Sequence, residues 1–193
     1  MTKGSETQKK LIEAATQLFY EKGIHWVSFQ QVASKVGITQ AALYRHFADK
    51  DDLIRACALF SAESGRGIID RYVNEEESAE KQLKAYIKGN FVWLMEKPKE
   101  SVMVAALYYF AFNSWAIQEL LVAINNQSVE RINVRLKQGI ESDRWPIKDP
   151  TKISRLIHDA LLGEMLKTAH APGEFPVEER VERLWLLVEA FIK

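Results

Sequence analysis

The chain has 193 residues, and its 26 basic residues balance 26 acidic ones, which gives a formal net charge of zero. A chain of this length allows one or two domains with a substantial core. Residues 1–55 contain eight Lys or Arg and six Asp or Glu. This excess is too small to identify a nucleic-acid-binding protein from charge alone, so any such function must be argued from a motif.

Cysteine content and hydropathy indicate the compartment. Cys57 is the only cysteine in the chain, so an internal disulfide is excluded, and its apolar segment, 56–60, predicts a buried structural thiol. The first ten residues lack the apolar core of a signal peptide. The longest apolar run, 102–112, has 11 residues, whereas a membrane span needs about 20. The sequence therefore predicts a cytoplasmic protein without a membrane partner.

Helical periodicity dominates the N-terminal part of the chain, and no strand pair is predicted. The first helix is expected to begin after an N-cap at Ser5 or Thr7 and to stop at Gly23. Ser28 is expected to cap a second helix over 29–36.

A glycine then separates two further helices. Gly37 is expected to end the second helix, because glycine readily takes a positive φ. Thr39 caps a third helix over 40–47, and a fourth follows that is expected to end or kink at Gly65 or Gly67.

The remainder of the chain predicts five more helices, which makes the fold all-α with about nine helices. The second of these five is apolar on nearly all sides and is expected to be buried. The predicted ranges are 76–95, 99–112, 114–141, 151–170 and a last helix that opens at Pro176.

The segment 28–52 meets the geometric requirements of a helix-turn-helix. In that motif one short helix crosses the phosphate backbone and braces a second helix, which lies in the major groove. An ordinary helical hairpin meets two or three of the requirements, whereas this segment meets five. They are a small residue at the crossing (Ala33), a turn glycine (Gly37), an apolar plug (Ile38), an inward apolar pair (Leu43 and Phe47) and an outward polar face (Gln40, Tyr44 and Arg45).

Residues 7–54 resemble the TetR family of transcriptional regulators. Thr39, Ala41 and Asp49 depart from the commonest family residues, but none of these departures removes a capping or packing role. The elements that carry the resemblance are Leu11-Ile12-Glu13-Ala14-Ala15, Leu18-Phe19, Gly23, Ser28, Ala33, Gly37-Ile38-Thr39, Leu43-Tyr44-Arg45-His46-Phe47 and Lys50-Asp51.

The resemblance implies an all-α fold with two domains. A three-helix helix-turn-helix DNA-binding domain is expected over 1–52, and a larger helical domain that binds ligand and forms a dimer over 53–193. It further implies a ligand-responsive repressor that binds double-stranded DNA as a homodimer. A ligand-dependent activator of the same fold remains an alternative, as does a non-specific architectural DNA-binding protein.

Eight residues of the motif are the candidates for DNA contacts. Hydroxyl, imidazole and ammonium groups suit phosphate oxygens, which fix register without reading sequence. Gln suits adenine, Arg suits guanine, and an alanine methyl suits the thymine methyl. The phosphate candidates are Ser28, Tyr44, His46 and Lys50, and the base-edge candidates are Thr39, Gln40, Ala41 and Arg45.

The last two helices fit the dimer interface that the resemblance implies. Each carries a broad apolar stripe, and a stripe of this width needs two packing partners. Packing within their own domain is the alternative. A dimer would place two recognition helices about one DNA turn apart, on a pseudo-palindrome. The interface candidates are Leu156, Ala160, Gly163, Leu184, Trp185 and Val188.

A small-molecule effector is implied for the larger domain, where aromatic residues are abundant. They suggest an apolar or aromatic ligand that releases DNA by shifting the population of dimer forms, although core packing is the alternative for each residue. The effector candidates are Tyr86, Trp93, Tyr108, Phe112, Asn113 and Trp115.

No pattern in the sequence indicates an enzyme, a cofactor or a metal site. There is no glycine-rich phosphate loop, no HExxH and no nucleophile elbow. The four histidines also lack the spacing of metal ligands. The sequence therefore predicts a protein without catalytic residues or a bound metal.

Overall fold

The computed structural model describes residues 3–142, 145–170 and 176–193, and in these ranges every regular element is helical. A single 3₁₀ turn, Ile24–Trp26, follows the first helix. The α-helices are α1 Lys3–Lys22, α2 Phe29–Val36, α3 Gln40–Leu43, α4 Lys50–Asn74, α5 Ala79–Glu96, α6 Pro98–Phe110, α7 Trp115–Ser142, α8 Pro150–His170 and α9 Val177–Ile192. The all-α prediction is confirmed.

Packing divides the chain into two compact units. The first contains the residues up to Ser64 together with 99–121, and the second contains 65–98 together with 122–193. The first unit therefore includes the predicted domain of residues 1–52 and extends beyond it. No helix in the described part of the chain combines the length and the apolar character needed to cross a membrane.

The predicted end of the first helix is confirmed, and the helix predicted over 151–170 begins one residue earlier. Gly23 has φ 82°, and its N–H donates to the Phe19 carbonyl at 2.9 Å, which ends α1. At the start of α8, the N–H of Lys152 donates to Oδ1 of Asp149 at 3.0 Å, and Pro150 is the first helical residue.

Three predictions about the helices are wrong. Helix α1 already runs from Lys3, so Ser5 lies inside it and does not cap it. Helix α4 continues through Gly65 and Gly67 to Asn74, so neither glycine ends it. Helix α6 is not buried on all sides, since Tyr109 is 68% exposed.

The core of the first unit holds the helix-turn-helix segment in place. Leu43 and Phe47 are buried, as is Cys57, whose thiol donates to the Ile12 carbonyl at 3.6 Å. Burial raises the pKa of the Cys57 thiol to about 12, while a hydrogen bond with Thr16 acts in the opposite direction. The thiol therefore stays protonated near neutral pH, which agrees with the predicted structural role.

The second unit has its own apolar core, built on α5, α8 and α9. Small residues allow close packing there. A Cβ atom on Gly89 would lie 2.9 Å from the Cα atom of Ile69, so α4 and α5 approach closely at this point. A Cβ atom on Gly139 would overlap the ring of Trp145, so the indole occupies the space above that glycine.

Candidate nucleic-acid interface

The start of α2 is fixed by a reciprocal hydrogen-bond pair. The N–H of Gln31 donates to Oγ of Ser28 at 3.3 Å, and the N–H of Ser28 donates to Oε1 of Gln31 at 2.9 Å. This is a capping box, in which two otherwise free N–H groups are satisfied at once. Its signature, Ser followed three residues later by Gln, was present in the sequence. Gln31 is therefore a residue that sequence reasoning missed although a signal existed.

The turn between α2 and α3 depends on one left-handed residue. Gly37 has φ 77° and ψ 31°, and the N–H of Ile38 donates to the carbonyl of Ala33 at 3.0 Å. Such a bond closes the C-terminal end of a helix and reverses the chain. Ala33 is 1% exposed, so a small side chain lies where α2 meets the following segment, as the sequence predicts.

Helix α3 presents its polar residues to solvent. Thr39 caps it by accepting a hydrogen bond from the N–H of Ala42 at 3.1 Å, and Leu43 is fully buried beneath it. Gln40 and Arg45 are exposed on the opposite side. The side chains predicted to read bases therefore project from a short segment whose inner face is anchored in the core.

The third helix is shorter than the predicted range of 40–47. Regular α-helix ends at Leu43, and the N–H groups of Arg45 and His46 donate to carbonyls three residues back, at 3.3 and 2.8 Å. The chain thus tightens into turns. The N–H of Phe47 again donates four residues back, to the Leu43 carbonyl at 3.1 Å, and its ring is buried.

Two of the predicted phosphate ligands are positioned by aromatic neighbours. The ring of Tyr44 lies 4.9 Å from the ring of Phe29 between centroids, although half of Tyr44 remains exposed. The ring of His46, which is half-buried, lies 6.4 Å from that of Phe47. Packing on α2 therefore limits the directions in which the Tyr44 hydroxyl can point.

Lys50 is held by a contact that the sequence did not indicate. Its Nζ atom donates to the carbonyl of His25 at 3.0 Å, across 25 residues of chain. Partial burial lowers the pKa of the Lys50 amine, and the neighbouring charge of Asp51 opposes that shift. An ammonium group has three donors, so two N–H groups of Lys50 remain for a further acceptor.

The predicted DNA contacts thus lie together in the first unit, between the caps of α2 and the start of α4. Six of the eight are exposed and the other two, His46 and Lys50, are half-buried. An exposed aromatic, Trp26, lies in the 3₁₀ turn that also supplies the His25 carbonyl. This surface combines hydroxyl, amide, guanidinium and ammonium donors, which are the groups that contact phosphates and base edges.

The predicted effector residues fall into two sets. Tyr86 and Trp93 are buried in the second unit, and Nε1 of Trp93 is buried with no hydrogen-bond partner there. Phe112 and Trp115 are 87% and 73% exposed in the first unit. The other two candidates are the half-buried Tyr108 and the exposed Asn113.

A cleft in the second unit has a different lining. It measures about 480 Å³, and its walls contain none of the six predicted effector residues. Among the described residues, no group of three or more His, Cys, Asp or Glu side chains could hold a metal ion.

The predicted dimer residues require a correction. Leu184, Trp185 and Val188 are buried in the core of their own unit, because α9 directs this stripe onto α5 and α8. They are therefore not available to a partner. The α8 candidates differ, since Leu156 is 45% exposed and Ala160 and Gly163 are half-buried.

Comparison with known proteins relates the chain to a family of regulators. Residues 11–57 match the sequence model described as "Bacterial regulatory proteins, tetR family". The chain is 28% identical over 178 residues to the HTH-type transcriptional repressor BepR of Brucella suis, a match that covers 92% of this chain and 73% of BepR. It is 21% identical over 199 residues to the nucleoid occlusion factor SlmA of Vibrio atlanticus, and this match covers 100% of this chain and 98% of SlmA.

A solved structure with the same fold supports the architecture. The structure of SmeT, the repressor of the Stenotrophomonas maltophilia multidrug efflux pump SmeDEF, superposes with a TM-score of 0.78 at 17% identity. The match covers 96% of this chain and 90% of SmeT. At this level of identity the similarity establishes the fold.

Proposed function

We propose that the protein is a TetR-family transcriptional repressor that binds a specific DNA site, since residues 11–57 match the model of that family. The observation that carries the proposal is the geometry of α3. Its inner side is anchored by Leu43, the turns that follow it are anchored by Phe47, and its polar side is open to solvent. A short helix held in this way can enter the major groove without rearrangement. The DNA target places this activity in the cytoplasm, and the proposal includes no catalytic step or cofactor.

The roles of individual residues follow from their chemistry. Gln40 and Arg45 are assigned to base edges, where an amide suits adenine and a guanidinium suits guanine. Tyr44 and Lys50 are assigned to phosphates, together with His46. Since phosphate contacts are independent of sequence, they set affinity and register. Ser28 and Thr39 also lie at this surface, but their side chains already cap helices.

We propose that the repressor acts as a homodimer through the outer faces of α8 and α9. The hydroxyl of Thr168 accepts a hydrogen bond from Arg180 at 2.7 Å, which packs the two helices side by side. Leu156 of α8 and Leu187 of α9 are 45% and 40% exposed, and Ala160 and Gly163 of α8 are half-buried. Exposed leucines next to small residues favour close helix packing with a second copy. An effector that prefers one dimer form would then alter DNA affinity by population shift.

Site selection from a random DNA pool tests the function with two matched variants. Gln40→Ala should change the preferred base at one position of each half-site, since a good bidentate contact contributes about 1–3 kcal/mol of discrimination. Tyr44→Phe keeps the ring that packs on Phe29 and removes only the hydroxyl. It should weaken binding to all sequences by a similar factor, about 0.5–1.5 kcal/mol.

Gln118→Ala is the control, because this glutamine is exposed on α7 and outside the proposed surface. It should leave both affinity and preference unchanged. If the wild-type protein enriches no sequence over bulk DNA, the repressor proposal fails and an architectural role is favoured. An unchanged preference in Gln40→Ala would remove α3 as the reading element.

A further inference from the structure

Two cationic side chains share one buried aromatic ring in the second unit. The guanidinium carbons of Arg131 and Arg135, one turn apart on α7, lie 5.2 and 5.5 Å from the ring centroid of Tyr86 on α5. Tyr86 is 2% exposed, and its hydroxyl donates to the carbonyl of Ser128 at 3.4 Å. Each guanidinium is attracted to the face of the ring, and so both charges are held in the same partly buried region.

The charge of this cluster is not balanced. Arg131 pairs with Asp70 of α4. Burial lowers the pKa of Arg135, as does the charge of Arg131, while Tyr86 and Asp70 oppose the shift. Burial also raises the pKa of Tyr86, so its hydroxyl stays neutral at physiological pH. Because a guanidinium keeps its proton, two positive charges face one carboxylate.

Arg135 also has an unused donor. Its Nε atom is buried and has no hydrogen-bond partner, while its Nη1 atom donates to the carbonyl of Arg131. A buried donor of a charged group carries a desolvation penalty when it has no acceptor. An anion placed beside Arg135 would supply both the missing acceptor and the missing negative charge.

We propose that Arg131 and Arg135 form the anion-binding centre of the effector site and that the effector carries a carboxylate. One excess positive charge matches a monoanion, and a planar carboxylate can accept two parallel N–H bonds from one guanidinium. Calling this ligand an effector rests on the proposed function, whereas its binding to the protein can be measured without DNA.

Pairs of acids and their neutral amides test the charge requirement. Acetate, benzoate and octanoate are titrated into the full-length protein in a buffer low in chloride, beside acetamide, benzamide and octanamide. Calorimetry should give at least one acid a dissociation constant about tenfold or more below that of its amide, as expected for hydrogen bonds to a charged group. If all three pairs bind equally, or if no acid binds, the proposal is overturned.

Two charge-matched variants locate the site. Arg135→Gln should weaken binding of the preferred acid about tenfold or more, whereas Lys137→Gln removes an exposed charge of the same helix and should leave binding unchanged. If the Arg135→Gln variant binds the acid as tightly as the wild type does, the assignment is overturned. The wild-type comparison of acid and amide keeps the proposal testable if this variant does not fold.

The two proposals fail separately. Absence of a selected DNA sequence removes the repressor function but leaves the difference between acid and amide as a measured property of the second unit. Conversely, equal binding of acid and amide removes the anion-binding centre while site selection still supports a repressor. Release of the selected DNA by the preferred acid, and not by its amide, is the result expected when both hold.

Discussion

Gly37 shows how one backbone angle positions the proposed recognition segment. Its φ of 77° lies in the left-handed region, and a Cβ atom at this position would meet nothing within 4 Å. Any cost of adding a methyl group must therefore come from the backbone. Gly37→Ala should lower the free energy of unfolding by about 1–2 kcal/mol, which is the cost of a left-handed conformation for an L-residue. Urea denaturation measures this difference.

Gly67 is a matched control for that experiment. It is also exposed and also has open space at its Cβ position, but it lies inside α4 without a positive φ. Gly67→Ala should raise the free energy of unfolding by about 0.5–1 kcal/mol, because alanine is the better helix former. If both substitutions changed stability in the same direction, the left-handed backbone would not be the reason for Gly37.

For single residues, contacts between near neighbours in the sequence were predictable, whereas contacts between residues far apart in the sequence were not. The roles of Ser28 and Gly37 could be predicted because a cap or a turn involves atoms only three or four residues apart in the chain. The contact of Lys50 with the carbonyl of His25 joins residues 25 positions apart. The same holds for Arg131 and Asp70, which are 61 positions apart. Charge pattern alone gave no reason to select these pairs.

Among the helices, α7 is tied directly to the first turn of α4. Oγ of Ser114, just before α7, donates to Oδ2 of Asp51 at 2.7 Å. A hydrogen bond to a carboxylate is a strong one. It connects the turn between α6 and α7 with the helix that follows the proposed recognition segment. The contact should therefore contribute to the stability of the first unit.

A double-mutant cycle measures this contact. Ser114→Ala and Asp51→Ala should each destabilise the protein, and the coupling between them should be about 0.5–1.5 kcal/mol. Asp52 is the control, since it lies one residue further along but accepts from the N–H of Ala48 at 3.1 Å. The cycle of Ser114→Ala with Asp52→Ala should give no coupling. Equal coupling in both cycles would show a general charge effect instead of the hydrogen bond.

Periodicity identified the helices but not what covers their faces. The stripe of Leu184, Trp185 and Val188 was recognised as apolar, and its assignment to a partner subunit was wrong because the same chain covers it. The early end of α3 was also unpredictable from the pattern, since the spacing of Leu43 and Phe47 suits a helix. In the structure residues 44–46 form turns, and Phe47, which follows them, is buried. Tertiary packing decides the first of these outcomes.

For the whole molecule, the proposed function depends on two recognition segments acting together. A single α3 has only four helical residues, too few to read a long site. Two copies on a twofold axis would read half-sites one helical turn apart. The face that could pair lies on α8 and α9, where Leu156 and Leu187 remain 45% and 40% exposed.

Leu156→Arg combined with Leu187→Arg should convert the protein to a monomer. Each substitution places a charge in an apolar contact, where burial of an unpaired charge is strongly unfavourable. Light scattering after size-exclusion chromatography should give twice the chain mass of 22.1 kDa for the wild type and the single mass for the variant. A wild-type protein of single mass would contradict the proposed dimer.

Leu186→Arg separates this interface from a general effect of surface charge. Leu186 is 70% exposed, more than Leu187. However, successive residues of a helix point about 100° apart. Arg180, seven residues before Leu187 and so on the same side of α9, donates to Oγ1 of Thr168 of α8 at 2.7 Å, which places Leu187 beside α8 and Leu186 away from it. Leu186→Arg should therefore remain a dimer. It should also keep its affinity for the selected DNA, whereas the monomeric variant should lose about a hundredfold or more, because the second half-site no longer binds as part of the same molecule.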